Sequence, residues 1–136
     1  MNDFKFGETS ITRLKTCHPD LQRVMFLALS RSSEDFTILQ GIRSEQEQNK
    51  LWHEKKTKVK YPDSKHNSNP SLAVDIAPYP IDWHNTKRFY DLAKVVLSCA
   101  DDLGIQLRWG GDWDMDGDHT DQTFNDLPHF ELSWRK

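Results

Sequence analysis

From Leu72 to Ala77 the chain reads Leu-Ala-Val-Asp-Ile-Ala, an apolar run with one carboxylate, Asp75, inside it. This segment constrains the fold most. Its apolar residues suit a buried strand. A carboxylate within such a strand costs several kcal/mol unless it is paired or holds a metal. Any fold built on this strand must therefore bring partners to Asp75. Two histidines are placed to serve. His66 lies nine residues earlier, in the loop that feeds the strand, and His129 opens the last apolar segment.

The rest of the pattern mixes helices and strands. Leu21, Val24, Met25 and Leu29 recur at helical spacing from His18 to about Ser30, with Pro19 suited to a first turn. Phe36 to Gln40 reads as a buried strand ending at Gly41. Ser44 and Glu47 form a capping-box pattern for a polar helix through about Lys55. Residues 56–71 read as a long polar loop. Thr86 to Leu103 is the strongest amphipathic helix, stopped by Gly104. Ile105 to Trp109 and His129 to Trp134 read as short strands around a Gly/Asp-rich loop at 110–127. Without regular strand-helix-strand alternation, this predicts an α+β fold, with helices against an antiparallel sheet.

At 136 residues, with no internal repeat or linker, one domain over 1–136 is expected. Only 36% of residues are apolar, but five Trp and seven Phe supply large buried area each. No apolar run reaches the ~20 residues of a membrane span. The start, MNDFKFGETS, lacks the apolar stretch of a secretory signal, so a cytoplasmic protein is expected. A net charge of −3 argues against a nucleic-acid binder. The lysines at 55, 56, 58 and 60 read as a solvated loop. Cys17 and Cys99 lack metal or redox spacing, and Cys99 falls on the apolar side of a helix as a buried thiol.

Two His and one carboxylate form a ligand set that zinc accepts, and three protein ligands leave the fourth position open to water, as in catalytic sites. Zinc lowers the pKa of that water to ~7. Such a site also needs a base to pass the water proton to a leaving amine. Asp126 lies three residues before His129 and can reach in from the loop. Glu131 competes, because strand alternation puts it on the same face as His129. Asp126 is preferred, since Glu131 projects one step further along.

Ser64-Lys65-His66 with Ala73-Val74-Asp75, and Pro128-His129-Phe130-Glu131-Leu132, resemble the VanY-type peptidases. These are the D-alanyl-D-alanine carboxypeptidase and L-alanyl-D-glutamate endopeptidase group of zinc enzymes, which includes phage endolysins. Gln40-Gly41-Ile42-Arg43-Ser44 resembles the family's Q-G-x-R-[ST] segment, and Arg108-Trp109-Gly110-Gly111-Asp112-Trp113 its R-W-G-G-D-W stretch. The likeness runs from about Leu14 to Leu132. The commonest family pattern has seven residues from His to Asp, against nine here. A loop absorbs two residues without moving either ligand.

The resemblance implies a hedgehog/D-Ala-D-Ala peptidase-like domain with zinc on an antiparallel sheet. His66, Asp75 and His129 would be the ligands, Asp126 the catalytic acid/base, and Arg43 the residue that polarises the scissile carbonyl. Gln40, Ser64, Trp109 and His119 are expected substrate contacts. It implies an endopeptidase on the L-alanyl-D-glutamate bond of peptidoglycan stem peptides. The expected form is a monomeric phage lysis enzyme without a separate wall-binding domain, released from the host cytoplasm to the wall. The alternatives are a D,D-carboxypeptidase removing terminal D-Ala and a non-catalytic zinc domain that binds a partner. Zinc binding alone requires neither Arg43 nor Asp126.

Asp112, Asp114, Asp116 and Asp118, with Gly117 between, resemble the first half of a calcium loop, though Thr123 stands where a bidentate Glu is expected. A Ca²⁺ ion there would order the loop leading to Asp126. His18, His53 and His84 read as uninvolved. The Trp residues read mainly as core, with Trp109 and Trp113 facing the cleft.

Overall fold

The structure, a computed structural model, describes residues 2–57, 59–111 and 126–133. Helices α1 (Glu8–Leu14) and α2 (Pro19–Arg31) precede strand β1 (Phe36–Gln40). Helix α3 (Glu45–His53) follows, then a 3-10 turn (Lys65–Asn67) and strand β2 (Ala73–Pro78). Helix α4 (Thr86–Leu103), β3 (Leu107–Trp109) and β4 (His129–Leu132) complete the order. The strands form one sheet in the order β1-β2-β4-β3, with every pair antiparallel. This is the expected α+β class.

Local chemistry sets the helix ends. The Ser44 hydroxyl accepts from the Glu47 amide while the Glu47 carboxylate accepts from the Ser44 amide, closing the capping box that starts α3. Pro19 begins α2, with the His18 ring accepting from the Asp20 amide. Gly104 ends α4 in the left-handed region, at φ 70°. Helix α1 is an addition to the sequence reading. Its Ser10 hydroxyl meets Thr37 Oγ1 at 2.9 Å and accepts from the Ile38 amide, docking α1 on β1.

The sheet's two faces have different tasks. Ile38, Val74, Ile76, Leu107, Trp109, Phe130 and Leu132 join the apolar faces of α2 and α4 in one core. α2 supplies Leu21, Val24, Met25, Ala28 and Leu29, and α4 supplies Phe89, Leu92, Ala93, Val96, Cys99 and Ala100. Burying each large side chain is worth about 1.5–3 kcal/mol. Strand alternation then sends Asp75, His129, Glu131 and Arg108 to the opposite face. Two rows result: Asp75 opposite His129, and Ala73, Glu131 and Arg108 across β2, β4 and β3.

β1 joins this face through an irregularity. Ile38 pairs with Ile76, yet Gln40, not Leu39, pairs with Asp75. The extra residue acts as a bulge that turns a polar side chain toward the site. Cys17 and Cys99 are both buried free thiols, as expected for Cys99. Burial pushes the Cys17 thiol up to about 12.

Candidate metal centre and its pocket

His66, Asp75 and His129 converge. His66 Nε2 lies 3.2 Å from Asp75 Oδ1 and 3.3 Å from His129 Nδ1, and His129 Nδ1 lies 3.0 Å from Asp75 Oδ1. The nine-residue interval does not separate His66 from Asp75. Its loop is tied back by the Ser71 amide on the Thr16 carbonyl, the His18 amide on the Ser71 carbonyl, and the Leu72 amide on the Lys65 carbonyl.

Each ring is oriented through its other nitrogen. His66 Nδ1 is 2.7 Å from the Gly41 carbonyl oxygen, which can only accept, so that nitrogen carries the proton and Nε2 presents a lone pair. His129 Nε2 is 2.8 Å from Glu131 Oε1, which fixes the opposite tautomer and frees Nδ1. Two ring lone pairs and one carboxylate oxygen thus point at a common centre. Their separations match the tetrahedron edge of about 3.3 Å implied by ligand bonds of about 2.0–2.1 Å. The donor set fits a small divalent cation.

The local field agrees. Burial alone would discharge Asp75, but His66 and His129 outweigh it and hold the carboxyl well below the usual carboxylate range. Burial opposes protonation of His129, yet hydrogen bonds to Asp75 and Glu131 push it up to about 9. A cation binding here displaces that proton.

The turn that carries His66 is built from backbone bonds and short caps. The Ser64 hydroxyl accepts from the His66 amide, and Asn67 Oδ1 accepts from the Ser64 amide. The Arg43 amide donates to the His66 carbonyl at 2.8 Å, fastening this turn to the segment after β1. Gly41 sits at the junction. A Cβ there would collide with Thr16 Oγ1 and the Arg13 carbonyl.

Arg43 is fixed from both sides. Its Nε and Nη2 donate to Gln40 Oε1 at 3.0 and 2.8 Å, and its Nη1 donates to Gln48 Oε1 at 3.0 Å. Nη2 also lies 3.6 Å from Asp75 Oδ2. Gln40 therefore orients Arg43, with its amide nitrogen donating to Glu47. Gln48, fully buried, was not singled out by the sequence. On a polar helix it looks like its exposed neighbours, and only its spacing from Arg43 hints at the contact.

Asp126 and Glu131 have opposite environments. Asp126 lines a pocket of ≈ 350 Å³ together with Arg43, Ser64, His66 and His129. Burial first, then the charge of Asp75, raises its pKa. Its backbone is clamped by Gly110, whose carbonyl accepts from the Asp126 amide at 2.9 Å. A Cβ at Gly110 would strike the Asp126 carbonyl. Glu131 is committed to other groups. Besides His129, it meets Arg108 Nη2 at 2.6 Å and Lys65 Nζ at 3.2 Å. Burial opposes its charge, but His129 and Arg108 bring it down to about 2. That environment suits a brace for a ligand, and the environment of Asp126 suits a proton acceptor.

Trp109 does not face the pocket. Its ring stacks near Phe130 with centroids 6.4 Å apart, its indole nitrogen donates to the Leu127 carbonyl, and it is part of the core. It stands on the core side of β3, opposite in sense to Arg108, so alternation rules it out as a cleft residue. Asp112, Trp113, Asp114, Asp116, Asp118 and His119 lie outside the described residues.

A family model described as phage L-alanyl-D-glutamate peptidase matches residues 2–133. The L-alanyl-D-glutamate peptidase of Escherichia phage T5 is 39% identical over 123 residues, covering 88% of each chain. A crystal structure of the Serratia marcescens L-Ala D-Glu endopeptidase ChiX matches with a TM-score of 0.80 and 29% identity. That match covers 98% of this chain and 93% of ChiX.

Proposed function

The chain belongs to the phage L-alanyl-D-glutamate peptidase family, and on that premise we propose that it is a zinc endopeptidase that cleaves the L-alanyl-D-glutamate bond of peptidoglycan stem peptides. The observation that carries this reading is the convergence of His66, Asp75 and His129 beside Arg43 and Asp126 in one pocket. A partner-binding zinc domain has no use for an acid/base and a clamped guanidinium.

His66, Asp75 and His129 would hold the ion. When bound, zinc supplies Lewis acidity and brings the pKa of water near neutrality. Asp126 then takes the proton from the attacking water and returns it to the departing amine. A carboxylate raised by burial is a better base than an ordinary one. Arg43, held by Gln40 and Gln48, presents fixed positive charge to the oxygen of the scissile carbonyl as it gains charge. Because Gln40 and Gln48 hold the guanidinium before substrate arrives, little reorganisation is needed at the moment of reaction.

Ser64 reaches the same pocket and caps the His66 turn, so it serves substrate position through the ligand it holds. No described helix is long and apolar enough to cross a membrane. The enzyme acts as a monomeric catalytic domain that reaches the wall after release.

The test is digestion of purified peptidoglycan with and without a chelator, with released termini identified by mass spectrometry. New D-glutamate amino termini that vanish with chelator and return with zinc are expected. Free D-Ala in their place would make the protein a carboxypeptidase. Neither product, with zinc still bound, would leave a binding domain.

A further inference from the structure

The pocket extends beyond the metal ligands, and its far wall is cationic. In the second row of the sheet's site face, Arg108 stands on β3 opposite Glu131. Lys65 reaches the same place from the 3-10 turn, donating to the Leu132 carbonyl. Both cations meet one oxygen of Glu131, Oε2. Glu131 lies underneath, with its side chain 7% exposed, while Lys65 and Arg108 keep 24% and 36% of theirs open. All three line the pocket.

Its position matters. The wall lies one pleat repeat past His129, a step of roughly 7 Å at the rise of two strand residues. That is about the reach of one residue and its side group beyond a bond held at the metal. In the bond named for the family, the residue that supplies the amine is glutamate. Glutamate has two carboxyl groups. One continues the peptide, and the other remains as a free carboxylate or a carboxamide.

We propose that Lys65 and Arg108 form a subsite for that remaining carboxylate. They would make the enzyme prefer a free acid to an amide at the residue following the scissile bond. The inference rests on the endopeptidase reading above and adds a chemical requirement to it. Arg108 supplies a planar fork matched to a carboxylate, and Lys65 supplies a point charge beside it. Glu131 keeps both cations at fixed positions before the substrate arrives.

The experiment compares two synthetic peptides in which L-alanyl-D-glutamate continues through its γ-carboxyl. One has the α-carboxylate free, and the other has an α-carboxamide. With zinc-loaded protein, kcat/KM should favour the free acid by about tenfold to a hundredfold, the range of one charge-assisted hydrogen bond. Most of the difference should appear in KM. Arg108→Gln and Lys65→Met should bring the ratio of the two substrates toward one, and Arg108→Lys should keep most of it. Zinc affinity is measured alongside by chelator competition, because both cations also brace Glu131.

A wild-type ratio near one overturns the subsite and leaves the endopeptidase reading intact. So does an equal loss on both peptides in the variants, which would mean that the cations act only through His129. If the wild type cuts neither peptide, calorimetric binding of the two decides. A preference for the free acid that disappears in Arg108→Gln keeps the subsite while the endopeptidase reading falls. No preference in binding ends both.

Discussion

The two histidines of the candidate metal centre are steered by different kinds of structure. His66 sits in a turn and points its proton at a backbone carbonyl, that of Gly41. His129 sits on a strand and points its proton at a side chain, Glu131. The first arrangement depends on chain path. It is insensitive to most side-chain changes but is tied to α1 through the tight approach of Gly41 to Arg13 and Thr16. The second depends on one carboxylate and the two cations that hold it. Rigidity comes from the His66 side, and adjustable electrostatics come from the His129 side, where Asp126 also lies.

Four changes would break or sharpen this contrast. The largest effect is expected from Asp126→Ala, which removes the proposed proton acceptor and leaves His66, Asp75 and His129 in place. Turnover should fall roughly 10²- to 10⁴-fold with zinc content retained, as read by steady-state kinetics and metal analysis. Full activity there, with an inactive Glu131→Ala, would reverse the assignment of the base.

Gly41→Ala tests the backbone side. The added methyl must displace the last turn of α1 or the strand end, with an expected loss of about 1–3 kcal/mol in denaturant unfolding of the metal-free protein. Zinc affinity should fall with it, because the carbonyl that holds His66 moves. Unchanged stability would show that the junction yields without strain.

Glu131→Gln tests the side-chain side. An amide keeps the shape but weakens the hold on the His129 proton, and zinc affinity should drop by about 10- to 100-fold in chelator competition. Here the fold should lose less than in Gly41→Ala. A larger unfolding effect than a metal-binding effect would mean that Glu131 serves the core more than the ligand.

The smallest effect is an acid one. The Glu131 carboxyl is held down to about 2 from its ordinary 4.5. A depressed carboxyl stabilises the fold above its unfolded pKa, and that contribution is lost as pH falls from about 4.5 toward 2. In the metal-free protein, the stability gap between wild type and Glu131→Gln should therefore narrow across that window. A gap that stays constant would remove Glu131 from the acid response.

Much of this was legible in the chain. β1 runs from Phe36 to Gln40 as read, the Ser44–Glu47 box is formed, and α4 covers Thr86–Leu103. Each has a strong local cause: apolar content, a reciprocal cap, or helical periodicity with a glycine stop. Short elements were less legible. β4 covers His129–Leu132, with Trp134 outside the described residues, and β3 starts at Leu107, not Ile105, because pairing with a neighbour sets where a short strand begins and ends. α1 was missed. Its Glu8–Leu14 segment buries only Ser10 and Leu14, too little for periodicity to register.

The site shows the same division. A lone carboxylate in an apolar strand exposed the need for ligands at Asp75, and sequence order supplied the histidines. What the sequence did not display was who holds whom. Gln40 and Gln48 grip Arg43, and Glu131 grips His129, because folding joins residues whose spacing along the chain has no period. One signal was available. His129 and Glu131 are two apart on a strand, and alternation alone places them on one face. Trp109 obeys the same alternation to the opposite face, so the rule that placed Glu131 beside His129 in the sequence also sets Trp109 on the core side.

The bulge in β1 has a bearing on how this enzyme can vary in length. Between His66 and Asp75 the connection is a surface loop, and added residues there leave both ends anchored. Between Ile38 and Gln40 one residue decides which side chain stands across from Asp75. Were the strand to pair regularly there at the same length, Leu39 would stand across from Asp75 and Gln40 would turn to the other face. Arg43 would lose its main acceptor with every ligand still in place. Deleting Leu39 itself keeps Ile38 opposite Ile76 and Gln40 opposite Asp75, so a chain shortened by that one codon should still hold Arg43 in place.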